Sequence, residues 1–194
     1  MKIVCIGDSL TYGFGVLKNQ RWVEMCGNLF ENVEFVNRGI NGDTTSGMLS
    51  RSYEDIILNY PDVAIIMGGT NDFLSFYDSK MVEQNIIELV KECDVHEIKP
   101  IIAIQMPVVG SLAKKNWADK LDYFKINKNI EKYRQNIIKY CDDKLYKYID
   151  FYGDLLESVA VDELEKYYLD GIHPNYEGHK LMVESVKKVI KPLI

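Results

Sequence analysis

Short apolar runs alternate along the chain with stretches whose apolar residues recur every three or four positions. The runs Ile3–Ile6, Val33–Asn37, Val63–Met67, Ile101–Gln105 and Leu145–Asp150 have the length of strands. The third and fourth are almost wholly apolar, as strands covered on both faces should be. Between them the period is helical. Trp22, Met25, Cys26 and Leu29 make one stripe, and Leu49, Tyr53 and Ile56 a second. Val82, Ile86, Leu89, Val90 and Cys93 form a third, and Ile126, Ile130, Tyr133 and Ile137 a fourth. Met182, Val186, Val189 and Ile190 close the chain. This alternation predicts an α/β fold, a three-layer α/β/α sandwich around a five-stranded parallel sheet. Right-handed crossovers favour a flavodoxin-like strand order, 2-1-3-4-5. No repeat or linker interrupts the pattern, so residues 1–194 are expected to form a single domain. Ligands of such sheets gather beyond the carboxyl ends of the strands, and that rule selects the loops to inspect.

Composition narrows the classes of function. With 194 residues, 47% of them hydrophobic, the chain can bury a core without disulfides or a structural metal. A net charge of −6, with lysines scattered along helical stretches, argues against a nucleic-acid partner. Cys5, Cys26, Cys93 and Cys141 are far apart and sit within apolar patterns, so they read as reduced core residues. Together with the absence of a signal-peptide pattern after Met1-Lys2, this makes a cytoplasmic location the expectation. No apolar run approaches the ~20 residues of a membrane helix, so no stable membrane insertion is expected.

Three polar, glycine-bearing segments fall at the carboxyl ends of the predicted strands, Gly7-Asp8-Ser9-Leu10, Asn37 through Thr44 and Gly68-Gly69-Thr70-Asn71-Asp72, and a fourth, Asp170-Gly171-Ile172-His173-Pro174, lies downstream of the fifth strand just before the last helix. Taken alone, Ser9 reads as a helix cap, Asn71-Asp72 as another, Gly42 as a turn glycine and Asp170 as a cap of the last helix. Their joint placement changes the reading. A serine at a strand-to-helix turn suits a nucleophile, and a carboxylate three residues before a loop histidine can fix its tautomer. The N–H groups of Ser9 and Gly42 and the Asn71 amide would supply three donors to an oxyanion. Asp8, Asp43 and Asp72 are expected to hold the loops by accepting backbone N–H bonds. His96, at a helix end, and His179, within the last helix and expected to be exposed, read as structural.

Together these segments resemble the SGNH hydrolases, also called GDSL esterases and lipases. Gly7-Asp8-Ser9-Leu10 matches the family's first block in full, and Gly42 falls at its glycine. Gly69-Thr70-Asn71-Asp72 matches the G-x-N-D block, and Asp170 through Pro174 the D-x-x-H-P block. Asn41 stands where many members carry serine. The resemblance implies hydrolysis of a small-molecule ester through an acyl-enzyme. It assigns Ser9, His173 and Asp170 as the triad and Ser9, Gly42 and Asn71 as the oxyanion hole, with no metal or cofactor.

The acyl group is less legible. Tyr12, Phe14, Phe73, Phe76, Tyr77, Met106 and Val108 are candidate pocket walls, and the long stretch from Met106 to Phe124, which includes Trp117, is a candidate lid. Such walls suit a short- or medium-chain carboxylester, with lysophospholipid, thioester and sugar O-acetyl groups as rivals. A reading from another class, a non-catalytic flavodoxin-like module binding an anion or FMN, leaves Asn71, Asp170 and His173 without a role.

Overall fold

The computed structural model describes residues 1–194. Its five strands are β1 (Lys2–Gly7), β2 (Glu34–Gly39), β3 (Val63–Met67), β4 (Lys99–Ile104) and β5 (Lys147–Asp150). They form one parallel sheet in the order β2-β1-β3-β4-β5. The nine helices are α1 (Ser9–Tyr12), α2 (Trp22–Leu29), α3 (Thr45–Asp55), α4 (Thr70–Leu74), α5 (Ser79–Val95), α6 (Gly110–Asn116), α7 (Tyr123–Lys144), α8 (Phe151–Ser158) and α9 (Tyr176–Ile190).

Strand periodicity sorts the core into two layers. Val4, Ile6, Ala64, Ile66, Ile102 and Ile104 point to the side covered by α3, α5 and α7. Ile3, Cys5, Ile65, Met67, Ala103 and Ile149 point to the side covered by α2, α8 and α9. The four cysteines are unpaired and buried among these side chains. Burial pushes the thiols of Cys26, Cys93 and Cys141 up to about 12, which makes them poor nucleophiles. Short polar side chains start the helices. Thr44 accepts from Gly47 N–H, Asp78 from Met81, Asp122 from Lys125, Asp150 from Gly153 and Asn175 from Gly178. No helix is long and apolar enough to cross a membrane.

Differences from the sequence expectation lie at element ends. β2 extends to Gly39 because its pairing with β1 continues to Gly7↔Gly39. As an edge strand it is only partly buried, so its polar end hides it from a hydrophobicity pattern. β5 starts at Lys147, because Leu145 ends α7 in the left-handed conformation (φ 61°) and points into solvent. The short helices α1, α4 and α6 carry too few turns to show a stripe, and α8 follows β5 with no loop between them.

His179 is a correction of substance. It is buried, not exposed, and its Nδ1 accepts the Trp22 N–H (3.3 Å) at the first turn of α2. That bond satisfies an otherwise free helix amide and ties α9 to α2. Burial, with Arg21 nearby, pushes the imidazole down to about 4. A group depressed on folding contributes its full stability above the unfolded value near 6.5 and loses it as pH falls toward 4. Wild-type unfolding free energy should therefore fall across that window by on the order of 3 kcal/mol from this residue alone. His179→Asn keeps an acceptor but no titration, and should flatten the slope in denaturant titrations run from pH 7 to 4. An unchanged slope would contradict the assignment.

Candidate active site

The end of β1 determines what Ser9 can do. Asp8, not Ser9, caps α1, its Oδ1 accepting the Leu10 N–H at 2.8 Å. The Ser9 hydroxyl is thereby left out of capping, and its Oγ lies 3.0 Å from His173 Nε2. His173 Nδ1 lies 2.7 Å from Asp170 Oδ2, while Asp170 Oδ1 accepts the N–H groups of Ile172 (2.9 Å) and His173 (2.8 Å). A proton on Nδ1, facing the carboxylate, leaves Nε2 as acceptor for the serine hydroxyl. Burial opposes the Asp170 charge, but the hydrogen bonds from the His173 ring and from both amides outweigh it and hold the carboxyl below its ordinary range. Asn175 caps α9, so Asp170 is not needed there.

The second and third loops meet beside Ser9's strand. Gly42 has φ +78°, a conformation that favours glycine; its N–H has no partner within the chain, and a Cβ there would meet open space. Asn71 Nδ2 donates to the Asp43 carbonyl at 2.8 Å, spending one of two amide hydrogens on the Gly42 loop. Asp72 accepts the N–H and hydroxyl of Thr45, at 3.0 and 2.7 Å, pinning the start of α3. Asp43 Oδ1 accepts the Thr44 N–H. All three aspartates, Asp8 included, thus accept backbone amides as expected.

Arg51 was not foreseen. From α3 it donates to Asp43 Oδ2 (2.7 Å), the Arg38 carbonyl (2.9 Å) and the Gly7 carbonyl (2.9 Å). The only local signal is its i,i+4 spacing to Asp55, with which it also pairs. Nothing in the sequence reports its reach to β1 and β2.

The candidate walls divide. The Phe14 ring lies 4.6 Å from that of His173, and Trp117 5.3 Å from it on another side of the chain. Tyr12 instead lies under the Arg21 guanidinium. Phe73, Met106 and Val108 are buried in the core. Phe73 packs edge-on to Tyr133, Met106 joins the α2/α8/α9 layer, and Val108 joins the α7 layer. Phe76 and Tyr77 lie exposed after α4. The stretch suggested as a lid is fastened at its start. The backbone of Val108 is bonded both ways by Asn127, the Pro107 carbonyl accepts the Tyr168 hydroxyl, and the Val109 N–H donates to the Gly171 carbonyl.

The sequence pattern of the GDSL-like Lipase/Acylhydrolase family matches residues 5–181. The chain belongs to this family. Membership makes this GDSL protein a hydrolase of ester bonds. A member of the lipolytic G-D-S-L family from Veillonella parvula superposes with a TM-score of 0.83 at 26% identity, covering 98% of each chain. An arylesterase of Vibrio mimicus is 24% identical over 99% of this chain and 90% of its own length. The lipoprotein YqeF of Bacillus subtilis is 29% identical, the match spanning 58% of this chain and about half (51%) of that protein.

In this GDSL protein the Asp170–His173 loop rests directly on α6. Gly171 has φ +93°, and a Cβ there would lie 2.4 Å from the Ala113 nitrogen and 2.6 Å from the Val109 carbonyl oxygen. Backbone atoms cannot swing aside as a side chain does. Gly171→Ala should destabilise the protein by about 2–4 kcal/mol and lower Tm by roughly 5–10 °C, with activity falling as the loop shifts. Thermal unfolding checks this, and an unchanged Tm would mean the loop does not rest on α6.

Proposed function

We propose that the protein hydrolyses carboxylic esters of short or medium acyl chains through a Ser9–His173–Asp170 triad. The observation carrying the reading is the continuous hydroxyl–imidazole–carboxylate chain, 3.0 and 2.7 Å in its two links. In this reading Ser9 Oγ attacks the ester carbonyl as its proton passes to His173 Nε2, while Asp170 stabilises the imidazolium. The tetrahedral oxyanion is held by the N–H groups of Ser9 and Gly42 and the second hydrogen of the Asn71 amide. His173 then returns the proton to the leaving oxygen, giving an acyl-enzyme and an alcohol. Water repeats the sequence to release the acid.

Several features support this assignment. The N–H of Gly42 is unspent, and the N–H of Ser9 lies in the first turn of α1, where helix amides lack intrahelical partners. The half-exposed aromatic rings of Phe14 and Trp117 beside His173 suit a small acyl or aryl group. Residues 1–194 act as one domain in this reading, and the four unpaired buried thiols favour a reducing, cytoplasmic setting. A phosphate-binding role for the Gly7–Ser9 turn fits poorly, since the Ser9 hydroxyl is engaged by His173.

Ser9→Ala should abolish turnover of p-nitrophenyl acetate and butyrate with circular dichroism and Tm unchanged; retained turnover would overturn the assignment. Asn71→Ala should lower kcat by roughly 10²–10³. A panel setting these esters against lysophosphatidylcholine, acyl-coenzyme A and acetylated xylose, each beside the Ser9→Ala control, tests the substrate class. Preference for any of the last three would replace the short carboxylester.

A further inference from the structure

His173 is buried, as are its neighbours Gly171, Ile172 and Pro174, and two half-exposed aromatic rings lie against its imidazole. Phe14, just beyond α1, approaches with ring centroids 4.6 Å apart and planes inclined by 45°. Trp117, which ends α6, approaches at 5.3 Å and 57°. Both ring nitrogens of His173 are already engaged, by Ser9 and Asp170, so the aromatic rings meet what remains of the imidazole. Trp117 is not loosely placed. Its backbone N–H donates to the Ala113 carbonyl at 2.8 Å, and α6 is the helix on which the Asp170–His173 loop rests.

Resting on the assignment of His173 as the base, we propose that Phe14 and Trp117 are positioning residues that stabilise the imidazolium formed during acyl transfer. When the Ser9 Oγ–H bond breaks, the proton goes to Nε2 and the oxygen's electron pair forms the new bond to the carbonyl carbon. The imidazole thereby gains a positive charge that it returns with the proton to the leaving oxygen. Aromatic rings within about 6 Å attract a cation through their quadrupole. That attraction is far weaker for the neutral ring, so it favours the transition state over the resting enzyme and should appear in kcat rather than KM. The acids acting on the same ring are Asp170 from its own loop and Asp8 from the β1–α1 turn. Asp8 is buried with Oδ2 unpartnered. Of these two acids only Asp170 is hydrogen-bonded to the ring, and the aromatic cover is a further contact that can stabilise its charge.

The test uses p-nitrophenyl acetate with Phe14→Leu, Trp117→Leu, the double variant, Trp117→Phe and His173→Ala, each checked for Tm. Each leucine variant should lose roughly three- to tenfold in kcat, over and above any change in KM from its place beside the acyl group, and Trp117→Phe should recover most of the kcat loss. Replacing tryptophan biosynthetically by its mono- to tetrafluoro analogues should lower kcat stepwise as the ring quadrupole weakens. The same replacement in Trp117→Phe, where only Trp22 remains, should have no such effect. A kcat indifferent to leucine or to fluorination, or a change confined to KM, overturns the proposal and leaves His173 as base. Full activity in His173→Ala overturns both.

Discussion

A parallel sheet delivers the carboxyl end of every strand to one edge, and here β1 lies between β2 and β3. The loops bearing Ser9, Gly42 and Asn71 are therefore neighbours by topology before any side chain contributes. The Arg51 guanidinium turns that neighbourhood into a fixed geometry by holding the Gly7 carbonyl, the Arg38 carbonyl and Asp43 with one planar group. A charge exposed by only 14% would be costly alone, but Asp43 and Asp55 compensate it. Asp72 and Asn71 add a second set of ties, from β3's loop to Thr45 and to the Asp43 carbonyl. These ties fix the loops as a unit, so the donors proposed for the oxyanion would need little rearrangement.

Two carboxyls act on His173, and their surroundings separate them. Asp170 receives the imidazole and two amide N–H groups, and stays ionised below its ordinary range. Burial pushes Asp8 up to about 7, although the Leu10 amide and the charge of His173 pull the other way. Paired carboxyls whose environments diverge in this manner take different roles. Asp170 can balance a charge on the imidazole, while Asp8 shapes the turn that presents Ser9.

Much of this was legible in the sequence, because strands buried on both faces must be apolar throughout and long helices must show a stripe. β3 was readable to the residue, since every side chain in it is buried. β2 was not, since an edge strand ending in Asn37-Arg38-Gly39 carries little apolar signal. Ser9 and Asn71 stood out because polar residues after apolar strands are conspicuous, and Asp170 and His173 because of their spacing in a loop before the last helix. Arg51 stayed hidden, as its partners are backbone carbonyls that no side-chain pattern encodes. The walls were hardest. Phe73 and Phe14 look alike in a sequence, yet one faces Tyr133 and the other His173, and only tertiary packing distinguishes them.

Ser9 and His173 are 164 residues apart, and the loop that carries His173 is braced by α6 and followed by the final helix. During synthesis the central strands β1 and β3 can pair long before that loop leaves the ribosome. A nascent chain therefore carries Ser9 for most of translation without His173 beside it. Under the proposed triad, hydrolytic competence would arrive last, once the C-terminal segment docks, and partly made chains would be inert toward the esters around them.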